Sequence, residues 1–170
     1  SLSEPVAAAS IAQVHVGETA DEMPKKVAVK VLRPGIQQQF AKDLSAFAFA
    51  ARQAERFSAE ARRLRLRAVV DTLALSVALE LDLRMEGAAA SELAENTKND
   101  RDFRVPAIDW NRTAGHVLTS EWIGGTPIRD PAEVEAAGHD PKRIATVVVQ
   151  SFLRQALSGG FLHADLHLGN

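Results

Sequence analysis

The last ten residues, FLHADLHLGN, hold the densest grouping of reactive side chains in the chain. His163 and Asp165 are two positions apart, and Asn170 follows Asp165 by five. This spacing suits phosphoryl transfer. In a short loop the aspartate accepts or orients the proton of an attacking hydroxyl, while the asparagine turns its carbonyl oxygen to a Mg²⁺ held between phosphates. The same residues admit two other readings. Asp165 can cap a turn with His163 packed in a core, or His163, Asp165 and His167 can offer nitrogen and oxygen ligands to zinc. A second reactive position is Lys30, in the run VAVK at 27–30. A lysine inside a buried strand must meet an anion or bear a large desolvation cost. On an edge strand it would point to water.

A third grouping is Glu80-Leu81-Asp82, with Glu86 beyond it. On a continuous helix Asp82 and Glu86 are i and i+4 and share a face, so their charges repel unless a cation sits between them. Lys30 or a metal ion would supply that cation. Glu80 lies about 200° around the helix from Asp82 and should face a different partner, unless the helix is irregular there. A solvated acidic face, continued by Glu92 and Glu95, accounts for the same residues. Near the N-terminus, Ala7-Ala8-Ala9-Ser10 precede the first strand expected below, and no G-x-G-x-x-G occurs anywhere. Glycines let a backbone approach phosphates and adopt positive φ, and alanine Cβ atoms narrow that freedom. An alanine loop should therefore hold phosphates differently from a glycine loop, although an alanine helix start would look the same. Arg52, Arg56, Arg62, Arg63, Arg65 and Arg67, set against Glu55 and Glu60, form a basic stretch. It reads as a solvated face or as a contact for anionic lipid headgroups.

The elements that must position these residues follow from periodicity. IAQVHV at 11–16 and VAVKVL at 27–32 alternate apolar and polar residues, which predicts two antiparallel strands around a polar connection. Arg33-Pro34-Gly35 ends the second strand. Phe40, Leu44, Phe47, Ala51 and Ala54 mark one helix face. Residues 62–67 are expected to separate that helix from a second, marked by Val69 and Val70, Leu73, Val77 and Leu81 and running to about Leu93. Residues 105–110 and 116–123 are expected to be another strand pair. Asp130-Pro131 and Asp140-Pro141 read as helix starts, and Gly159-Gly160 as a helix stop. The expected class is α+β.

Composition narrows the function classes. Apolar residues are 46% and charged residues 25%, as in an ordinary folded protein. A net charge of -2 and 5% aromatics, with no tyrosine, argue against nucleic acid as a partner. The absence of cysteine excludes disulfides, thiolate metal sites and cysteine nucleophiles. No stretch has the length and apolarity of a membrane span.

Taken in order, AAAS at 7–10 followed by IAQVH, VAVKVLRPG at 27–35, LELDLRMEGAA at 79–89 and FLHADLHLGN at 161–170 resemble the UbiB family of atypical protein-kinase-like proteins, with the nearest likeness to alphaproteobacterial members. The resemblance covers essentially the whole chain. It implies a protein-kinase-like fold. Residues 1–123 would be a small lobe with an antiparallel sheet and inserted helices, and 124–170 the start of the helical large lobe. It also implies ATP and Mg²⁺ as cofactors. Ala7, Ala8, Ala9 and Ser10 would cover the phosphates and Lys30 would anchor them. Glu80 and Asp82 would be the family's Glu-x-Asp pair, with Glu86 the helix glutamate that pairs with Lys30. Glu121, Trp122 and Ile123 would be the hinge that meets adenine, Asp165 the catalytic-loop aspartate and Asn170 a Mg²⁺ ligand. The 56 positions from Lys30 to Glu86 exceed the usual kinase interval, and the inserted helices fill them.

The family's Lys-x-Gly-Gln and Asp-Phe-Gly motifs do not occur, and Leu166 and Leu168 stand where family members often have prolines. The expectation is therefore a partial chain, inactive alone. By resemblance, its parent binds ATP and supports ubiquinone biosynthesis on the cytoplasmic side of a bacterial inner membrane, alongside lipid and the proteins of that pathway. Two alternatives are a small-molecule phosphotransferase of the aminoglycoside or choline type, and a non-catalytic nucleotide-sensing, lipid-binding partner.

Overall fold

The computed structural model describes residues 2–126, 128 and 131–158, with backbone alone for 155–158. His163, Asp165, His167, Asn170 and the expected helix stop at Gly159-Gly160 lie outside the described residues. The chain divides into two units. One holds the residues up to Ala88 with Ile108–Glu121, and the other holds Ala89–Ala107 with the residues from Trp122 on.

The first unit is built on a four-stranded antiparallel sheet whose spatial order equals its sequence order. Its strands are β1 (Leu2–Ala8), β2 (Ala12–Glu18), β3 (Lys26–Leu32) and β4 (Val117–Glu121). The alternation at 11–16 and 27–32 produces β2 and β3 in unbroken register from Ala12↔Leu32 to Glu18↔Lys26. β1 is exposed along its whole length and carries irregularities on both sides of Pro5. A proline on an outer strand costs no ladder hydrogen bond that the sheet needs.

Between β3 and β4 the chain runs through helices. α1 (Ile36–Phe57) follows Gly35, whose φ of 77° takes the left-handed turn out of the strand. The expected separator at 62–67 is corrected: α2 (Ala59–Leu64) lies there. One break does fall inside that range, at Arg65, which adopts φ 52°, and an earlier one falls at Ser58, whose hydroxyl accepts the Ala61 N–H. α3 (Leu66–Glu80) packs on α1. The expected continuous helix to Leu93 is also corrected. It stops at Leu81, and α4 (Leu83–Asn96) starts anew. The apolar spacing runs through the break, so periodicity did not mark it. The strand expected at 105–110 reduces to one bridge, Ile108 with Ser120, followed by a 3-10 turn at Trp110–Arg112.

The core of this unit joins Ala12, Leu32, Leu81, Leu83 and Leu118, with Ile36, Phe40 and Val77 against it. Leu83, 1% exposed, also donates its N–H to the Gly115 carbonyl, which ties the start of α4 to the turn before β4. The second unit includes α5 (Pro131–Ala136) and α6 (Pro141–Ser158). Both begin at the predicted prolines, and Asp140 accepts the Lys142 N–H at 2.9 Å as the cap of α6. Within this unit Asp100 holds Arg154 at 3.1 Å beside the buried Ser151.

Candidate nucleotide site

Side chains alternate along a strand, so Ala28, Lys30 and Leu32 share one face of β3. Register sets Val14 and Leu118 on either side of Lys30, and Val16 and Ser120 on either side of Ala28. Because Leu32, Ala12 and Leu118 belong to the core, Lys30 stands on the core side of the sheet and not at a wet edge. Its ammonium donates to both carboxylate oxygens of Glu86, each at 2.8 Å, across 56 positions of sequence. The lysine side chain keeps 28% of its surface exposed and the glutamate 48%. The ion pair therefore has one side open to solvent.

Glu86 is held in place by the residue after it. Gly87 is buried where α4 meets β4, and a Cβ there would lie 3.1 Å from Leu118 Cδ1 and 3.2 Å from Trp110 Cη2. Any side chain there would force a neighbour to give by a few tenths of an ångström. A lone glycine inside the helical pattern LRMEGAAA was the available sequence signal for this contact.

The Glu-x-Asp pair does not behave as two neighbours on one helix. Glu80 ends α3 and is exposed. Asp82 sits in the break, where it accepts the Arg84 backbone N–H at 3.1 Å and the Arg84 guanidinium at 2.9 and 2.6 Å. The Arg84 guanidinium holds the Asp82 carboxyl down at about 2, against the opposing effect of desolvation and with smaller help from the Arg84 backbone N–H. The expectation of one cation shared by Asp82 and Glu86 is thus corrected: Arg84 takes the first carboxylate and Lys30 the second. Arg84 was missed, although an opposite charge two residues past an aspartate at a helix start is a legible sign.

The alanine segment divides between strand and turn. Ala7 and Ala8 belong to β1 and pair with Val14 and Gln13, while Ala9 and Ser10 form the turn into β2. The Ala9 N–H donates to the Ala12 carbonyl at 2.9 Å. Among the described residues Arg65 is the non-glycine residue with positive φ, so the alanine turn needs no left-handed position. Alanine therefore replaces glycine here without backbone strain. Arg33, read from sequence only as a strand end, donates Nε and Nη2 to the Ala9 carbonyl at 3.3 and 3.2 Å. At the other end of the sheet Glu121 closes β4 opposite Val27. Trp122 and Ile123 follow without regular structure, both partly exposed.

A cavity of about 220 Å³ opens on the opposite sheet face, lined by Leu2, Gly17, Val27, Val29, Thr119 and Arg112 among others. Its arginine is already held by Asp109 and Asp21, each at 2.6 Å. Lys30 has no part in it.

The profile of the ABC1 atypical kinase-like domain matches residues 2–170. Over 169 residues the chain is 40% identical to the probable protein kinase UbiB of Xanthomonas euvesicatoria pv. vesicatoria, covering 98% of this chain and 30% of that protein. Over 168 residues it is 41% identical to the probable protein kinase UbiB of Azotobacter vinelandii, covering 99% and 31%. The chain thus spans less than a third of the length of these curated relatives. Among solved structures it is similar to the Rv3197–erythromycin complex from Mycobacterium tuberculosis, with a TM-score of 0.71 and 30% identity over all of this chain and 42% of that one. With four antiparallel strands, inserted helices and a strand lysine paired to a helix glutamate, the chain belongs to the ABC1 atypical kinase-like family.

Proposed function

We propose that this chain carries the nucleotide-binding part of an ATP-dependent kinase or ATPase that supports ubiquinone biosynthesis. The observation that carries the reading is the Lys30–Glu86 pair on the core side of the sheet, one strand from the alanine turn. A lysine oriented by a carboxylate and open on one side is suited to an anion such as a phosphate. In this reading Lys30 meets the phosphates, Ala7 to Ser10 cover them, and backbone groups of Glu121, Trp122 and Ile123 meet the adenine. Asp165 positions the nucleophile and Asn170 holds Mg²⁺. Both oxygens of Asp82 are occupied by Arg84, so Asp82 is not assigned to the metal. Bound Mg-ATP would supply the transferable phosphoryl group and the divalent charge that offsets its oxygens.

The test uses the full-length parent protein. Lys30→Ala should lower Mg-ATP affinity at least tenfold, and Asp165→Asn should abolish turnover while binding persists. Unchanged affinity in the first variant, or equal turnover in the second, would defeat the reading.

A lipid surface is the partner that the inserted helices favour. Phe47, Phe49, Phe57, Leu64, Val69 and Leu75 are 53–79% exposed, and the guanidinium of Arg56 lies 5.6 Å over the Phe57 ring. Exposed apolar side chains bordered by arginines suit an anionic membrane surface. Among the described residues no helix is long and apolar enough to cross a membrane. Arg62 donates to the Glu55 and Arg56 carbonyls at the end of α1, so its removal would disturb the helix junction itself. Arg56→Glu with Arg67→Glu is the cleaner probe. Binding of the parent to anionic vesicles should fall, and unchanged binding returns these arginines to an ordinary solvated face.

A further inference from the structure

The turn formed by Ala9 and Ser10 is tied to the strand that bears Lys30 through one residue. Arg33, the first residue after β3, donates its backbone N–H to the Ile11 carbonyl at 2.9 Å. Its side chain reaches the Ala9 carbonyl with Nε and Nη2 at 3.3 and 3.2 Å. The backbone bond is an extension of the β2–β3 ladder. The side-chain bonds cross to the far arm of the turn, which the ladder does not reach. The turn has one internal tie of its own, from the Ala9 N–H to the Ala12 carbonyl. We propose that Arg33 is a positioning residue: it fixes the alanine turn relative to Lys30 and thereby sets the affinity of the site for nucleotide. This inference rests on the nucleotide reading above.

The chemistry favours arginine here. A planar guanidinium presents two N–H donors on one edge, and both converge on a single carbonyl oxygen. Lysine offers the same charge but a single point donor on a flexible stem, so it can replace the bond only in part. The distances are at the long end for N–H···O bonds, and both residues are exposed to competing water. The anchor should therefore shift the opening of the turn by about fivefold, the worth of an ordinary net hydrogen bond and below the range for a well-formed bond to a charged donor. Arg33 acts through the turn and has no assigned contact with nucleotide. A turn that opens more often must be ordered on binding, so affinity falls by a comparable factor.

The experiment compares wild type, Arg33→Gln and Arg33→Lys in the full-length parent. Deuterium exchange over residues 6–12 is followed without nucleotide, and Mg-ATP affinity is measured by titration. Arg33→Gln should exchange about fivefold faster in the segment and bind Mg-ATP about fivefold more weakly, with Arg33→Lys between the two on both measures. Exchange unchanged in Arg33→Gln overturns the anchor. Faster exchange with unaltered affinity overturns the positioning role. Full affinity in Arg33→Lys, with exchange as fast as in Arg33→Gln, overturns it too and places the charge directly on nucleotide. If wild type binds no Mg-ATP, the nucleotide reading falls and the positioning role with it, while the exchange comparison still decides the anchor. Should Arg33→Gln not fold, Arg33→Lys against wild type supplies both comparisons.

Discussion

Replacing Gly87 sets two opposing effects against each other, and the structure decides between them. Glycine to alanine inside a helix gains about 1 kcal/mol from backbone propensity. The added Cβ would stand 3.1 Å from Leu118 Cδ1, 3.2 Å from Trp110 Cη2 and 3.6 Å from Ile108 Cγ2. Carbon pairs are comfortable at about 3.5–4.0 Å, so two of the three contacts are short by several tenths of an ångström. Trp110 is 48% exposed and its ring can swing outward. Leu118 is 6% exposed, within the core and opposite Lys30, and has nowhere to go. Overpacking of this kind costs about 1–3 kcal/mol. Gly87→Ala should therefore come out destabilised by about 1 kcal/mol despite its better helix propensity. Gly87→Val, with two more carbons and a β-branch, should lose about 3 kcal/mol or more. Either substitution moves α4 away from β4 and draws Glu86 off Lys30, so Mg-ATP affinity should fall with stability. Urea unfolding of the parent protein, together with nucleotide titration, measures both. If Gly87→Ala is stabilised by the full propensity gain, or Gly87→Val unfolds like wild type, the close approach of α4 to β4 is not a constraint and the reasoning is wrong.

Other perturbations test neighbouring parts. Glu86→Gln should shift unfolding by less than about 1 kcal/mol, because the pair is open to solvent. Its Mg-ATP affinity should drop several-fold; a stability loss above about 2 kcal/mol would mean that the pair is chiefly structural. Asp82 has a folded-state pKa of about 2, below its ordinary 3.8, so its contribution is fully present above about pH 4 and is lost as pH falls toward 2. The stability advantage of wild type over Asp82→Asn should therefore be constant near neutrality, shrink below about pH 4 and be lost as pH falls through 2; an advantage at pH 2 as large as at neutrality would contradict the Arg84 pairing. Asp140→Ala should destabilise α6 by about 1 kcal/mol and speed amide exchange over residues 141–144, and unaltered exchange would show that the cap is not needed.

Some of this was legible from the amino acids alone. β2 and β3 declared themselves because alternation is strict where one face is buried. The starts of α5 and α6 were marked by proline at the first helical position. β1 was not legible: Pro5 and the alanine run carry no alternation, and an exposed outer strand imposes none. The break at Leu81-Asp82 was hidden because Leu81 continues the apolar spacing of α3 while Leu83 begins that of α4. Residues 105–110 looked like a strand because Val105 and Ile108 are β-branched, yet the sheet takes them up only as an isolated bridge at Ile108, beside the bond from the Asp109 N–H to the Thr119 carbonyl. The link between Lys30 and Glu86 came from resemblance, since no local pattern connects residues that far apart. Arg33 was invisible as a partner because its role is defined by where a turn 24 positions away places an oxygen, and sequence does not report that.

β3 and β4 are neighbours in the sheet although residues 33–116 intervene. β1, β2 and β3 are adjacent in sequence and can assemble as a local meander. β4 joins only after a long segment has closed on itself, and non-local pairings of this kind are slow to form. Leu118 and Glu86 both reach Lys30 through that closure, so the charged pair is expected among the last features completed as the chain folds. The same closure is tolerant in another respect. Doubling its length would add only about 0.6 kcal/mol to its cost, so the segment between the two strands is free to lengthen or shorten over evolution while the sheet that holds Lys30 stays the same.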